Sequence, residues 1–332
     1  MKNVLLGKSG LKVSELSLGT MTFGRETDEK ESNIILQKYL DAGGNFIDTA
    51  NGYADGKSEE ILGRALKGKR EEVVLATKVF FRKGPGVNDY SSSRKHILKA
   101  VRDSLHRLQT DYIDLYQLHC WDLSTPIEET LETLDSLVNQ GVVRYVGVSN
   151  YSGWQIMKSL WVSQGQGFTR MVSAQMEYSL VVRDIEMEVV PACQAEGVSI
   201  MAWGPLGGGF LSGKYQSGEF PKEGRLSIAK KEWEESWDRR ATEKNFSILK
   251  VLEDLAKKHQ KTIAQLALNW LLSKENVIPI LGVRTIQQFE DNIGSVNWTL
   301  SPEDVKRLDE VSNPESRYPY RFIQWANSIV RA

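Results

Sequence analysis

Short apolar runs alternate with longer amphipathic stretches along most of this chain. ELSLG (15–19), NFID (45–48), VVLATK (73–78), YIDLYQLH (112–119), VRYVGVSN (143–150), MVSAQMEYS (171–179), VSIMAWGPL (198–206) and VIPILGV (277–283) are strand-length runs, several of them bounded by glycine or polar turn residues. Between them, stretches over 28–42, 58–66, 93–108, 127–139, 154–162 and 185–195 suit helices. Ile34, Ile35 and Leu40 are expected on the buried face of the first helix, and Ile97, Val101, Leu105 and Leu108 on that of the third. Gly43 with Gly44, and later Gly141, stop the helices before them.

Three segments fall outside the alternation. Residues 2–16 read as a small hairpin turning on Ser9 and Gly10. Between Leu211 and Phe246 runs a charged, tryptophan-bearing insertion, expected as a lid or a substrate wall, and a helix begins near Asn245. At the far end, Ser301 as N-cap and Pro302 behind it start a helix over 301–312. The aromatic residues 318–330 are expected either to close over a barrel mouth or to pack on the outer ring.

Eight strands, each paired with a helix, predict a single-domain (β/α)8 TIM barrel, preceded by the hairpin and carrying its long insertion after strand seven. At 332 residues the length fits. An open doubly wound sheet usually has fewer strands, and its dinucleotide fingerprint should follow strand one, where SLGTMTFG does not fit. Lysine plus arginine total 42 against 43 acidic residues, so bulk charge favours neither nucleic acid nor an anionic membrane, and the expected partner is a small molecule. Cys120 and Cys193 lie far apart without metal-type spacing, which suggests a reducing compartment. With apolar runs of strand length only and no signal peptide ahead of the first strand, a cytoplasmic protein is expected.

The candidate chemistry collects at strand ends. Strand two ends at Asp48, strand three at Lys78 and strand four at His119, with Tyr53 in the loop after Asp48. Loops after the strands converge over one mouth of a parallel barrel, where catalytic groups gather. Alone, Asp48 reads as a turn cap, Lys78 as a solvated side chain and His119 as a satisfied polar group; at successive strand ends they form a device. A free phenol has a pKa of about 10, and a nearby ammonium is expected to lower it by about one to three units. Asp48 would keep that ammonium charged, and His119 would orient a carbonyl or assist the proton relay. A tyrosine acid beside a carbonyl implies reduction, with hydride from a cofactor. A metal-dependent barrel would need clustered ligands instead, whereas His96, His106 and His259 fall on expected helices.

DTANGYADGKSEEILG, LATK, DLYQLH, GVSN, AWGPLGGGFLSGKY and IPILGVRTIQQFEDN occur in that order, and together they resemble the aldo-keto reductase superfamily over nearly the whole chain. The resemblance implies a tetrad of Asp48, Tyr53, Lys78 and His119 with Tyr53 as proton donor, NADPH (NADP+) as cofactor, and a small-molecule aldehyde or ketone as substrate. It places Thr20, Met21 and Asp48 near the nicotinamide ribose, and Ser149, Asn150 and Gln175 on the carboxamide. Trp203, where many relatives have tyrosine, stacks on the ring. Gly204, Pro205, Leu206, Gly207 and Gly208 wrap the diphosphate, Gly204 standing where serine is common; Lys214 and Arg225 add phosphate contacts. Gly282, Arg284, Gln288, Asp291 and Asn292 match the adenosine end, Asp291 replacing the more usual glutamate. Arg284 would grip a 2′-phosphate and so favour NADPH over NADH. Some barrels of this family are instead cofactor-sensing channel subunits, which tend to carry asparagine where this chain has His119. Phe23, Phe80, Trp121 and Trp233 are candidates for an apolar substrate rim.

Overall fold

A computed structural model describes residues 1–222, 224–232 and 234–330. Among the described residues there are ten strands: β1 (Asn3–Leu5), β2 (Lys12–Ser14), β3 (Ser17–Gly19), β4 (Phe46–Asp48), β5 (Val74–Val79), β6 (Ile113–Leu118), β7 (Val143–Ser149), β8 (Met171–Glu177), β9 (Ser199–Trp203) and β10 (Val277–Gly282). β3 to β10 are parallel and close on themselves in chain order, β10 pairing with β3. The barrel is therefore the expected one, and it brings the ends of β4, β5 and β6 side by side at one mouth.

Its helices are α1 (Glu29–Asp41), α2 (Lys57–Ala65), α3 (Arg94–Leu108), α4 (Ile127–Asn139), α5 (Gly153–Gln166), α6 (Val189–Glu196), α7 (Arg225–Ile228), α8 (Trp237–Arg240), α9 (Glu243–His259), α10 (Ile263–Leu272), α11 (Ile286–Ile293), α12 (Pro302–Ser312) and α13 (Tyr320–Val330). Asp28 caps α1 by accepting from the Glu31 N–H at 2.8 Å. Its buried face is Ser32, Ile35, Leu36 and Tyr39, while Ile34 points to solvent. Tyr39 decides that register, because its hydroxyl lies 2.8 Å from each of Ser14 Oγ, the Leu16 carbonyl and the Phe46 carbonyl and so ties α1 to the barrel floor.

The region after the insertion holds two helices where one was expected. Gln260 takes a left-handed backbone (φ 53°), ending α9, and Thr262 with Gln265 forms a capping box that starts α10. The insertion itself contains the one-turn helices α7 and α8. The C-terminal α13 stands at the outer ring, the Tyr320 hydroxyl donating to Glu188, the N-cap of α6, and its aromatic residues stay exposed. No helix among the described residues is long and apolar enough to cross a membrane.

The hairpin β1–β2 lies across the opposite end of the barrel. Leu6 and Val13 are fully buried in one cluster with Phe46, Ala76, Leu115, Met201 and Ile278 from the barrel strands. The Gly7 N–H donates to Ser199 Oγ at 2.7 Å and that of Lys8 to the Gly197 carbonyl at 2.8 Å, which anchors the plug at the start of β9.

α12 is held to α9 through Asp304. Its carboxylate accepts from Lys258 Nζ at 2.8 and 2.9 Å and from Ser301 Oγ at 2.8 Å, with His259 Nε2 at 2.9 Å. Burial alone would push the Asp304 pKa up, but these partners outweigh it and hold it down at about 2. A carboxyl depressed on folding contributes stability above its unfolded value and loses it as pH falls through the folded one. Because Lys258 is half exposed and screened, Asp304→Asn should cost about 1–2 kcal/mol at pH 7. In denaturant melts over a pH series, that deficit should close as the pH falls from about 4 towards 2.

Candidate active site

At the mouth, β4 ends on Asp48 and β5 carries Lys78 one residue before its end. Lys78 is fully buried, yet its ammonium has a partner for each of its three protons: Asp48 Oδ2 at 2.6 Å, the Thr49 carbonyl at 2.7 Å and the Tyr53 hydroxyl oxygen at 3.1 Å. Burial would strip the charge from such a lysine, but the Asp48 carboxylate and the Tyr53 oxygen more than offset that, and its pKa lies above the ordinary value. The second Asp48 oxygen accepts from Gln117 Nε2 at 3.1 Å and Gln175 Nε2 at 2.8 Å.

Tyr53 differs from expectation in its acidity. Burial pushes the phenol's pKa up, and the Lys78 ammonium pulls against that without overcoming it. The expected lowering is therefore overturned: Tyr53 keeps its proton at neutral pH. Its oxygen already accepts from Lys78, so its own O–H is left to point into the cleft. His119 faces it edge-on, with ring centroids 6.0 Å apart. Burial and then Lys78 drive the His119 pKa well below the usual range, so the imidazole is neutral and offers a dipole rather than a charge.

Asp48, Tyr53 and His119 form the floor at one end of a cavity of about 650 Å³ that runs to Arg284, Asp291 and Asn292 beyond β10, with Lys78 buried beneath them. All the positions that the family resemblance marks for a cofactor line it except Thr20 and Gly207. Thr20 is a strut: fully buried, its hydroxyl bonds the Asp48 carbonyl at 3.1 Å and Ser58 Oγ at 2.9 Å, bracing the end of β4. The Gly207 N–H is spent on the Gly204 carbonyl at 2.8 Å, and a Cβ there would lie 2.6 Å from Val181 Cγ2, so glycine is required by packing. Asn150 links three strands at the mouth, donating to the His119 carbonyl at 3.0 Å and accepting from Trp203 Nε1 at 3.1 Å. That fixes the indole at the wall. Gly204, Gly208 and Gly209 have φ of 62°, 70° and 92°, a left-handed run that lets the backbone approach a ligand closely.

The insertion covers this strip by two ion pairs. Arg225, expected as a phosphate contact, bonds Glu235 at 2.5 Å, and Arg240 bonds Glu177, the last residue of β8. Burial pushes the Glu177 carboxyl up to about 7 even against Arg240. Asp291 also has partners within the protein, accepting from Thr262 Oγ1 at 3.3 Å and Gln265 Nε2 at 3.2 Å.

The apolar rim is corrected. Phe23 is fully buried in the core beside Ile35 and Phe289, Phe80 packs on Phe81, and Trp121 meets Tyr151 and Trp154 edge-on away from the cleft. Trp233 lies outside the described residues. Phe81 lines the cleft instead, because β5 ends at Val79 and its in–out alternation stops there. Gln117 also escaped the sequence reading, although a glutamine inside the apolar run IDLYQL, two places before His119, is the signal that would have found it.

The aldo/keto reductase family profile matches residues 15–313. The chain belongs to the aldo/keto reductase family. It is 38% identical to the uncharacterized oxidoreductase YrpG of Bacillus subtilis, over 94% of this chain and 96% of that one. It is 35% identical to a norsolorinic acid reductase of Emericella nidulans, over 96% and 84%, and 35% identical to a probable voltage-gated potassium channel subunit beta of Arabidopsis thaliana, over 96% and 98%. This family member carries its buried Lys78–Asp48 pair where neither charge is stable alone. Asp48→Asn should lower the unfolding free energy by about 3–5 kcal/mol, and adding Lys78→Met should recover part of the loss, both read in urea melts.

Proposed function

We propose that this oxidoreductase reduces an aldehyde or ketone to an alcohol, with NADPH as hydride source and Tyr53 as proton donor. The observation that carries the reading is the saturation of the Lys78 ammonium by Asp48, Thr49 and Tyr53. It leaves one proton, on the Tyr53 oxygen, available at the cleft floor.

The cofactor fits the residues present. Trp203 offers a stacking face, Ser149 and Gln175 offer hydrogen-bonding groups beside it, the glycine strip permits a diphosphate to lie close, and Lys214, Arg225 and Arg284 bring positive charge to the cleft. A nicotinamide cofactor held by these residues would supply the hydride for the new C–H bond of the alcohol. The protein does the rest. His119, neutral, donates a hydrogen bond that orients the carbonyl oxygen, and the Tyr53 proton passes to that oxygen as negative charge develops on it. The phenolate left behind is stabilised by Lys78, and a proton from solvent restores the acid. Phe81, Met21 and Trp203 give the carbonyl an apolar wall suited to aryl or other bulky substrates.

The chain is also similar to a protein named as a channel subunit, but an acid–base set in which His119 and Tyr53 meet over one floor favours catalysis. Loss of NADPH absorbance with a nitrobenzaldehyde tests the reading; no turnover over a broad carbonyl panel would overturn it. Tyr53→Phe should slow reduction by about 10²–10⁴-fold while the Kd for NADPH stays within twofold. Arg284→Ala should weaken NADPH about ten- to a hundredfold and leave NADH nearly unchanged, measured by fluorescence titration.

A further inference from the structure

We propose that the loop over 80–91, after β5, positions the proton donor, with Lys83 holding the Tyr53 turn in place through Asp55; the inference rests on the reductase reading above. The turn needs holding. Tyr53 is followed by Ala54 (φ 46°, ψ 38°) and Asp55 (φ 57°, ψ 35°), both left-handed, and then by Gly56 at φ 95°. Successive left-handed residues with a Cβ are disfavoured, and alanine has no side-chain hydrogen bond to offset the strain. Such a turn persists only where its surroundings fix it.

Asp55 supplies the handle. Its carboxylate accepts from Lys83 Nζ at 2.5 Å, and although Asp55 is exposed the Lys83 side chain is only 15% so. The hydrogen bond from Lys83 holds the Asp55 carboxyl below its ordinary value, so that carboxylate is ionised across the neutral range.

Lys83 stands on a braced loop. Its N–H donates to the Asp89 carbonyl at 2.9 Å, and the Asp89 side chain takes the Gly86 N–H and Lys99 Nζ, each at 2.9 Å, Lys99 belonging to α3. The Arg82 guanidinium closes the loop on the Gly86 carbonyl at 2.9 Å, over the Tyr90 ring. The same loop also touches the other reacting group, Phe81 meeting the His119 ring edge-on at 4.7 Å. Besides the local backbone bonds of Tyr53 N–H to the Ala50 carbonyl and Asp55 N–H to the Gly52 carbonyl, Tyr53 is thus held from β5 and the loop after it: its oxygen by Lys78 and its turn by Lys83. With the second removed, Ala54 and Asp55 relax part of the time, and in that fraction the phenol is displaced from its place beside Lys78.

Single-turnover reduction of saturating nitrobenzaldehyde, with KM and the NADPH Kd, measured in Lys83→Met, Asp55→Asn, their double variant and Lys83→Arg, tests this. Each single loss should slow the hydride step about five- to tenfold with KM and Kd within twofold, since a small displacement of an acid is costly but an exposed pair is a modest restraint. The double variant should be no slower than the worse single one, and Lys83→Arg should recover most of the rate. Molar salt should slow the wild type towards Lys83→Met and leave that variant unchanged. Wild-type rates in both single variants, multiplicative losses in the double, or an effect on KM alone would overturn the positioning role. A wild type that binds NADPH but turns nothing over would instead remove the reductase reading and this inference with it.

Discussion

One ammonium group, buried at the end of β5, is the constraint on which the site depends. Lys78 can be charged there only because three acceptors meet it, and those acceptors come from β4 and the loop that follows it. Gln117 and Gln175 extend the constraint by fixing Asp48 from two further strands, so four barrel strands must be in register for one proton to be placed. Breaking such a pair from one side leaves an uncompensated charge worth several kcal/mol, which makes the chemistry and the fold hard to separate.

The acidity of Tyr53 changes how the tetrad is understood. If the ammonium lowered the phenol's pKa to near neutrality, part of the population would have lost the proton before a carbonyl arrived. Burial outweighs that pull, and the acid stays loaded. On the proposed reading, the ammonium would then act on the phenolate formed during the reaction, where charge appears, rather than on the resting state.

The barrel was legible because parallel strands buried on both faces are written as unbroken apolar runs, and Asp48, Lys78 and His119 stand out at their ends. Other features depend on three-dimensional context. Thr20 follows β3 directly, yet its hydroxyl turns inward to brace Asp48. Phe80 and Phe81 are adjacent and alike, and only the end of β5 at Val79 decides which one faces the cleft. The break between α9 and α10 rests on a left-handed glutamine, where glycine would have announced it. α13 shows an amphipathic pattern but finds no core to join, so its aromatic residues did not reveal their position.

The hairpin ahead of the barrel has a consequence for traffic through the molecule. Leu6 and Val13 complete the packed core from below, so the cleft at the upper mouth has a rigid floor with no channel among the described residues beneath it. On the proposed reading, the cofactor and the carbonyl would therefore both approach Tyr53 from that upper side.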